Sequence, residues 1–414
     1  MAGLYLKSRR PAPDPDESLE ELAELAISAG AVVLDRIVQT RDTPQAATLI
    51  GAGKVEELRA SIASHNADLV IFDHDLSPTQ QRNLEKGLDV KILDRTQLIL
   101  DIFAGRARTR EGRLQVELAQ LNYMLPRLTG RGVEMSRLGG GIGTRGPGET
   151  QLETDRRRIA RRIKKINQDI EKVRASRAVH RRQRSAVPLP LVALAGYTNA
   201  GKSTLFNHLT QSGVLSDARM FATLDPTVRV LKLPSKRRVL AGDTVGFIRN
   251  LPTTLVKAFR ATLEEITAAS LILHVVDASS PHAVEHTRHV LEVLSGIGAA
   301  ENPQLLVLNK IDRVTEASTS FESICRGIGS VRPVEISALT GQGIGELLSA
   351  IDEVLPFDPV SRRRFRLAAG DGARIHLLHE FGRVLGADYH DGVCEIEADV
   401  PESLGTLLAD AALK

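Results

Sequence analysis

The residues best suited to chemistry in this sequence stand in the segment Gly196-Tyr197-Thr198-Asn199-Ala200-Gly201-Lys202-Ser203, which Thr204 follows. An apolar run precedes the segment and a helix-like stretch follows it, which is the context that a phosphate-binding loop requires. The glycines let backbone N–H groups close around phosphate oxygens, Lys202 can reach the β- and γ-phosphates, and Ser203 can ligate Mg²⁺. The segment therefore predicts that the chain binds a nucleoside triphosphate.

A second candidate segment is Asp243-Thr244-Val245-Gly246-Phe247, which follows a short apolar run. An aspartate that ends a strand beside a phosphate loop can support the Mg²⁺ shell. Gly246 can offer its backbone N–H to the γ-phosphate.

A third candidate segment is Asn309-Lys310-Ile311-Asp312, after the apolar run of residues 304–308. The Asp312 carboxylate can accept hydrogen bonds from N1–H and the exocyclic amine of guanine, a pairing that adenine cannot make. A buried acceptor left unpaired discriminates strongly between ligands. After a further predicted strand, Ser337-Ala338-Leu339 stands where a backbone N–H can meet the guanine O6. Each segment alone has an ordinary reading as a loop, but together and in this order they predict GTP.

Length and composition indicate a protein of several domains. The chain has 414 residues, of which 42% are hydrophobic and 25% are charged, and this length favours about three domains. No apolar run reaches the length of a membrane span. The first residues lack the succession of a secretory signal, and Cys325 and Cys394 are the only cysteines. We therefore expect a cytoplasmic protein without disulfides.

Positive charge is concentrated in the middle of the chain. Residues 1–100 carry 11 Lys/Arg and 16 Asp/Glu, whereas residues 106–185 carry 21 Lys/Arg and 8 Asp/Glu, a net of +13. Such a surplus indicates a surface that faces a polyanion, with a solvated charged face as the alternative. Few aromatic residues stand among these charges, so we expect contact with phosphates rather than base stacking.

The same segment has apolar residues at spacings of three and four, which predicts an antiparallel helical hairpin. The first stripe comprises Leu114, Leu118, Leu121, Leu125 and Leu128, and the second comprises Leu152, Ile159, Ile163, Ile166, Ile170 and Val173. The opposite face of the second helix holds Arg156, Arg157, Arg158, Arg161, Arg162, Lys164, Lys165, Lys172, Arg174 and Arg177. Residues 129–150 carry eight glycines with Arg131, Arg137 and Arg145. This loop is either a flexible tether or a segment that orders against a partner.

Residues 1–105 alternate helical and strand-like patterns, which predicts a small α/β domain with a parallel sheet. We expect helices at residues 19–28, 55–65 and 79–88 and strands at 32–38, 69–72 and 91–93. Ile50-Gly51-Ala52-Gly53-Lys54 matches half of a phosphate loop but lacks the second glycine-lysine-hydroxyl group. We interpret it as a turn at the start of a helix, with a contact to ATP as the weaker alternative.

Residues 186–357 place the nucleotide segments on alternating strands and helices. This predicts a doubly wound parallel sheet with ligands at the carboxyl ends of its strands. Residues 181–190 read as a linker that ends at Pro188 and Pro190. Residues 358–414 predict a small α/β domain with strands at 363–367 and 393–398 and helices at 373–385 and from Glu402. Cys394 is expected in its core.

Three passages together resemble the HflX family of ribosome-associated GTPases. They are Gly146-Pro147-Gly148-Glu149-Thr150-Gln151-Leu152-Glu153-Thr154-Asp155, Phe221-Ala222-Thr223-Leu224-Asp225-Pro226-Thr227 and Asp243-Thr244-Val245-Gly246-Phe247, and the turn at residues 50–54 is similar to that family as well. The resemblance implies GTP hydrolysis and binding to the large ribosomal subunit, with ribosomal RNA contacted by the basic hairpin. Some members of the family separate stalled or stressed ribosomes into subunits.

The resemblance also implies that Thr223 is the switch threonine, which closes over Mg²⁺ and the γ-phosphate. Its spacing from the phosphate loop agrees, and Thr227 is the competing hydroxyl. Phe247 stands where Ras-like proteins place a water-orienting glutamine, so we expect slow intrinsic hydrolysis that a partner completes. Asn199 occupies the position at which potassium-activated GTPases hold a monovalent cation. K⁺ is thus a further cofactor by analogy, and an ordinary loop asparagine is the alternative.

The sequence therefore predicts an α/β protein that acts as an Mg²⁺-dependent GTPase switch, with domains at residues 1–105, 106–185, 186–357 and 358–414. Lys202, Thr223 and Gly246 are the catalytic candidates, and Ser203, Thr223 and Asp243 are the metal candidates. The nucleotide-binding candidates are Gly196, Asn199, Ala200, Gly201, Lys202, Ser203, Thr204, Asp243, Asn309, Lys310, Asp312, Ser337 and Ala338. A GTP-gated RNA-binding scaffold, in which turnover is incidental, is the alternative function.

Overall fold

In the part of the chain that the structure describes, three sheets and the helices between them make up the fold. The computed structural model describes residues 1–6, 15–128, 147–185, 189–211, 220–221, 223–225, 227–249, 260–314, 333–355 and 358–413, with the backbone alone at 147–152, 174, 176–185 and 260–262. The predicted loop up to residue 146, the linker at 186–188 and the side chains of Leu152, Arg174 and Arg177 lie outside the described residues. Within the described part, no helix is long and apolar enough to cross a membrane.

The N-terminal sheet has four parallel strands in the order β2-β1-β3-β4, which confirms the predicted parallel sheet. Its strands are β1 Ala2–Leu6, β2 Ile37–Arg41, β3 Leu69–Phe72 and β4 Lys91–Asp94. Its helices are α1 Pro15–Ser28, α2 Ala52–His65, α3 Pro78–Leu88 and α4 Arg95–Arg106. These elements bring the carboxyl end of β4 and the start of α4 toward the middle of the molecule.

Two parts of this sheet differ from the prediction. The strand expected at residues 32–38 begins only at Ile37, because Val32 and Leu34 are 81% and 50% exposed and form no ladder. Strand β1 and helix α4 had no prediction. Helix α4 is buried on nearly all sides, so it shows no single apolar stripe from which to recognise it.

The middle segment consists of α5 Arg110–Met124, a short 3₁₀ turn at Leu125–Leu128 and α6 Pro147–Ser185. Ile166 and Ile170 are buried, as the second stripe predicts. The leucines of the first stripe are only half-buried, because α5 also packs on its other side, where Val116 and Ala119 enter a core shared with α4. Helix α6 includes residues 147–150, predicted as loop, and extends past residue 181, where a linker was predicted.

The nucleotide-binding part has a six-stranded sheet in the order β10-β9-β8-β5-β7-β6. The strands are β5 Leu191–Gly196, β6 Thr227–Lys232, β7 Arg238–Asp243, β8 Leu271–Asp277, β9 Gln304–Asn309 and β10 Val334–Glu335. The helices are α7 Lys202–Thr210, α8 Arg260–Thr267, α9 Ala283–Gly296 and α10 Ile344–Val354. The doubly wound sheet is confirmed, with one correction. Strand β6 is antiparallel to β7, because a short turn joins the two strands as a hairpin.

The C-terminal part has an antiparallel sheet in the order β12-β13-β11-β14. Its elements are β11 Val360–Ala368, α11 Gly372–Phe381, β12 Arg383–His390, β13 Val393–Pro401, α12 Glu402–Leu407 and β14 Ala412–Leu413. The helix predicted at residues 373–385 was too long, since residues 383–385 belong to β12. Asp391 and Gly392, both with positive φ, turn β12 back into β13. Cys394 is buried in this core, as predicted.

One hydrophobic cluster joins the N-terminal, middle and nucleotide-binding parts. Side chains of α1, α4 and α5 pack there against Tyr197, Phe221, Leu224 and Phe247 of the nucleotide-binding part. Because a shared core transmits displacement, the loops around the candidate site are mechanically attached to the rest of the molecule.

Candidate nucleotide site

The phosphate loop connects the end of β5 with the start of α7, as the sequence predicts. Gly201 has a φ of +91°, and a side chain at this position would overlap the Asn309 amide. Glycine is therefore required for the close approach of the phosphate loop to the end of β9.

A cavity of about 410 Å³ opens at the carboxyl ends of the strands. The predicted site residues that line it are Asn199, Gly201, Lys202, Ser203, Thr204, Thr223, Gly246, Asn309, Lys310, Asp312 and Ala338. The others, Gly196, Ala200, Asp243 and Ser337, are not among its lining residues. Leu339, from the segment predicted to meet guanine, also lines the cavity, as do Thr198, Phe221, Thr244 and Arg313, which were not among the predicted site residues. The three nucleotide segments thus converge on one cavity.

Lys202 is buried at the start of α7, where its Nζ donates a hydrogen bond back to the Tyr197 carbonyl of the phosphate loop, at 2.6 Å. Burial lowers the pKa of Lys202 to about 8, and the nearby Asp243 opposes this shift. A bound phosphate would supply the negative charge that a buried ammonium lacks here.

Ser203, Thr223 and Asp243 form a cluster of oxygen atoms at the edge of the cavity. The Ser203 Oγ and Thr223 Oγ1 each lie 2.8 Å from Asp243 Oδ2 and 2.8 Å from one another. Hydroxyl and carboxylate oxygens are the donors that Mg²⁺ prefers. Thr227, the competing hydroxyl, lies instead on β6, opposite Asp243 in the ladder to β7.

One carboxylate oxygen of Asp243, the buried Oδ1, is free of protein hydrogen bonds in the described part of the chain. Burial raises the pKa of Asp243, and the hydrogen bonds from Ser203 and Thr223 oppose this shift. A divalent cation in the shell would compensate this charge, so the oxygen cluster fits Mg²⁺.

The segment after Asp243 lies against the phosphate loop. Thr198 N donates to the Phe247 carbonyl at 2.7 Å, and Phe247 N donates to the Gly196 carbonyl at 3.1 Å. Arg249 N donates to the Tyr197 hydroxyl at 2.8 Å. The Phe247 ring is buried in the shared core and does not line the cavity.

Asn309 ties together the loops at the other end of the cavity. Its Nδ2 donates to the Ala200 carbonyl at 2.8 Å, and its Oδ1 accepts from Ala338 N at 2.9 Å. Lys310 Nζ donates to Asp277 Oδ2 at 2.6 Å. Ser337 is buried behind the loop, where its hydroxyl accepts from Thr340 N at 3.2 Å. The Ala338 N–H, predicted to meet guanine, is thus engaged by Asn309 in this structure.

A separate cluster of possible metal ligands lies between α1 and α9. Glu17, His282 and Glu285 each offer a ligand atom within 4.8 Å of one another. The Arg249 guanidinium donates to Glu17 at 2.7 Å and lies 3.1 Å from Glu285. Burial alone would raise the pKa of Glu17, but hydrogen bonds from His286 and Arg249 lower it to about 2. Arg249 therefore supplies the positive charge that a metal ion would bring.

The turn at residues 50–54 has partners of its own within the N-terminal sheet. Gly51 N donates to Gln39 Oε1 at 2.8 Å, and Lys54 Nζ lies 2.7 Å from Glu57. Helix α2 begins at Ala52. These contacts favour the turn at a helix start over a nucleotide site.

Helix α6 exposes the predicted basic face. The exposed members are Arg156, Arg157, Arg158, Arg161, Arg162, Lys164, Lys165 and Lys172. Arg157, Arg158, Arg162 and Lys172 pair with acidic side chains. For Arg156, Arg161, Lys164 and Lys165 no acidic partner occurs among the residues that the structure describes, so positive charge remains available to an anionic surface.

The family of the chain is decided by comparison with known proteins. Family models match residues 16–104 as "GTP-binding GTPase N-terminal", 106–184 as "GTP-binding GTPase Middle Region" and 191–310 as "50S ribosome-binding GTPase". The chain is 47% identical over 388 residues to GTPase HflX of Caldanaerobacter subterraneus subsp. tengcongensis, which covers 94% of this chain and 88% of that protein. This chain belongs to the GTPase HflX family. The resemblance inferred from the sequence motifs is confirmed.

Other relatives extend the comparison. GTPase HflX of Escherichia coli K12 is 45% identical over 86% of this chain and 83% of that protein. GTPase HflX of Alkalihalophilus pseudofirmus is 53% identical over 73% of this chain and 71% of that protein. Among solved structures, SsGBP in complex with GDP aligns over 86% of this chain and 98% of that chain at 24% identity, with a TM-score of 0.47, a likeness too weak for transferring residue roles.

Proposed function

We propose that this chain is an Mg²⁺-dependent GTPase switch in the cytoplasm that docks on the large ribosomal subunit through its basic helix. The observation that carries the proposal is the convergence of the three nucleotide segments on one cavity with the Ser203, Thr223 and Asp243 oxygen cluster at its edge. Membership of the HflX family supports GTP as the substrate.

Each site residue has a role that follows from its position. Lys202 stabilises negative charge that develops on the transferred phosphoryl group, and the Gly246 N–H contacts the γ-phosphate. Ser203 and Thr223 would ligate Mg²⁺, and Asp243 supports that shell. The ion would neutralise charge on the β- and γ-phosphates. Closure of Thr223 in the GTP state and its release after hydrolysis would provide the switch.

The base specificity is assigned to Asp312, with Asn309 holding the surrounding loops. Replacing Asp312 with Asn removes the acceptor for the guanine N1–H and amine, so preference should shift from GTP toward xanthosine triphosphate. The measurement is a competition between the two nucleotides against a fluorescent analogue. If selectivity remains unchanged in a folded D312N variant, the assignment of Asp312 is wrong.

The partner is proposed from charge. The exposed arginines and lysines of α6 form an anion-facing surface, and the family model for residues 191–310 is described as a 50S ribosome-binding GTPase. Contact with ribosomal RNA phosphates would make binding sensitive to salt. Separation of stalled ribosomes into subunits is the corresponding biological role, by analogy with the family.

Hydrolysis is proposed to depend on the docked partner. Phe247 offers no polar group and its ring faces the core, so the attacking water must be oriented by another group. Asn199 lines the cavity beside the phosphate loop, and by analogy with potassium-activated GTPases a K⁺ ion beside the phosphates is a further proposal. Replacing K⁺ with Na⁺ should then slow hydrolysis, and the Asn199→Ala variant should lose that difference. Equal rates in the two salts would refute the K⁺ site.

A further inference from the structure

The loop that carries Thr223 is anchored to the N-terminal and middle parts on both sides of that residue. On one side, the Phe221 ring meets the Phe103 ring of α4 edge to face, with centroids 4.6 Å apart. On the other side, Leu224 is buried in the shared core. The threonine that closes over Mg²⁺ therefore stands between two contacts with the rest of the molecule.

Asp225 makes the most specific of these contacts, because its carboxylate binds the two residues just before α5, one of which is the N-cap residue Thr109. Its Oδ2 accepts from the backbone N–H groups of Arg108 and Thr109, each at 2.8 Å. The Thr109 hydroxyl donates to Oδ1 and also accepts from Gly112 N at 3.0 Å. A carboxylate at a helix N-terminus satisfies free N–H groups and interacts favourably with the helix dipole.

Gly112 provides the space for this carboxylate. A Cβ added at Gly112 would overlap Asp225 Oδ1, and no other atom pair at this glycine would be as close. The carboxylate thus lies directly on the first turn of α5, and the contact can be disturbed from either side.

Helix α5 is in turn bound to the basic helix α6. Glu117 of α5 accepts from Arg162 of α6 through two hydrogen bonds, at 2.6 and 2.8 Å. Ile166 and Ile170 are buried on the same helix. An exposed ion pair adds little energy, but together with buried side chains it fixes the two helices relative to one another. A displacement of α6 therefore moves α5.

We infer that Asp225 is a positioning residue that couples the basic hairpin to the switch threonine. This inference rests on the proposed function. Asp225 stands two positions after Thr223, a span of at most about 7 Å, so movement of the α5 N-terminus is transmitted to the Mg²⁺ ligand. Docking of the hairpin on RNA then positions Thr223, and the nucleotide state in turn changes the hydrogen bonds at the start of α5.

The first test uses GTP hydrolysis with and without large ribosomal subunits. Asp225→Asn removes the charge from one side, Gly112→Ala displaces the carboxylate from the other, and Gly105→Ala is the matched control, because a Cβ there meets nothing within 4 Å. In D225N and G112A, the ratio of stimulated to basal kcat should fall about fivefold, the effect of weakening hydrogen bonds by about 1 kcal/mol. The KM for GTP and the affinity for subunits should change less than twofold. An undiminished ratio in both variants would overturn the inference.

The second test needs no ribosome, so it separates this inference from the proposed function. Amide hydrogen exchange at residues 108–112 is compared with GDP and with a non-hydrolysable GTP analogue, both with Mg²⁺. The wild type should show a difference between the two nucleotides, and D225N should lose it. Identical exchange in both states of the wild type, or a difference that D225N retains, would refute the coupling. Absence of stimulation by subunits in the wild type would instead contradict the proposed partner.

Discussion

Replacing Thr223 with Val removes its hydroxyl from the oxygen cluster of Ser203, Thr223 and Asp243 while keeping the shape of the side chain. Thr223 is 9% exposed, and its Oγ1 lies 2.8 Å from both Asp243 Oδ2 and Ser203 Oγ. Thr227→Val is the matched control, since it makes the same chemical change on β6 of the same segment.

The size of the effect follows from what the hydroxyl does. Losing one preorganised group that stabilises transition-state charge costs about 3–4 kcal/mol, so the single-turnover rate of T223V should fall about 10²–10³-fold. The Mg²⁺ concentration for half-maximal rate should rise, because one ligand is lost. Folding should suffer less, by about 1 kcal/mol, since Asp243 keeps its hydrogen bond from Ser203.

The assay is single-turnover GTP hydrolysis over a range of Mg²⁺ concentrations, with thermal unfolding of each variant as a check on folding. We expect the hydrolysis rate of T227V to stay within about twofold of the wild-type rate, because the loss of one half-buried hydroxyl costs little free energy. A full rate in T223V with a large loss in T227V would show that the wrong threonine was assigned.

Two further predictions concern residues of the nucleotide cavity, and a third concerns Tyr197 beside it. Asn309→Ala leaves the Ala200 carbonyl and the Ala338 N–H without their partner, so the affinities for GTP and GDP should fall by the same factor, about 30-fold or more; unequal losses in a fluorescent-nucleotide titration would contradict this. Burial lowers the pKa of Lys202 to about 8 without nucleotide, and a bound phosphate raises this pKa. Nucleotide binding at pH 8 should therefore take up about half a proton and should weaken as the pH rises further. Calorimetry in two buffers that shows no proton uptake would refute this prediction. Tyr197→Phe removes the acceptor of the Arg249 N–H, so amide exchange at Arg249 should accelerate about fivefold, and unchanged exchange would contradict that role.

The nucleotide site could be predicted because its residues stand in short segments directly after apolar strands. Parallel strands end at one edge of a sheet, so Lys202, Asp243 and Asp312 had to meet there. The choice between Thr223 and Thr227 was harder, since spacing alone allows both. Phe221 and Leu224 are buried in the shared core, and this burial brings Thr223 to the oxygen cluster.

Contacts between distant segments could not be predicted in this way. Arg95 is fully buried, where Nη1 donates to Asp73 at 2.7 Å and Nη2 to the Arg249 carbonyl at 3.3 Å, and nothing local in the sequence distinguishes it from a surface arginine. The hydrogen bonds from Arg108 and Thr109 to Asp225 likewise join residues that are far apart in the sequence. Strand β12 differs from these contacts, because the Asp391-Gly392 pair is a local signal for the turn that joins β12 to β13.

We propose that hydrolysis of GTP is coupled to docking of the basic helix on ribosomal RNA. The most direct measurement is GTP hydrolysis by the full chain in potassium buffer, with and without large ribosomal subunits, at two salt concentrations. Strong stimulation that fades at the higher salt is expected, and reversal of charge at Arg161 and Lys164 should weaken it without changing the basal rate. Tight GTP binding with no stimulation at either salt concentration would contradict the coupling of hydrolysis to docking and would favour a GTP-gated scaffold.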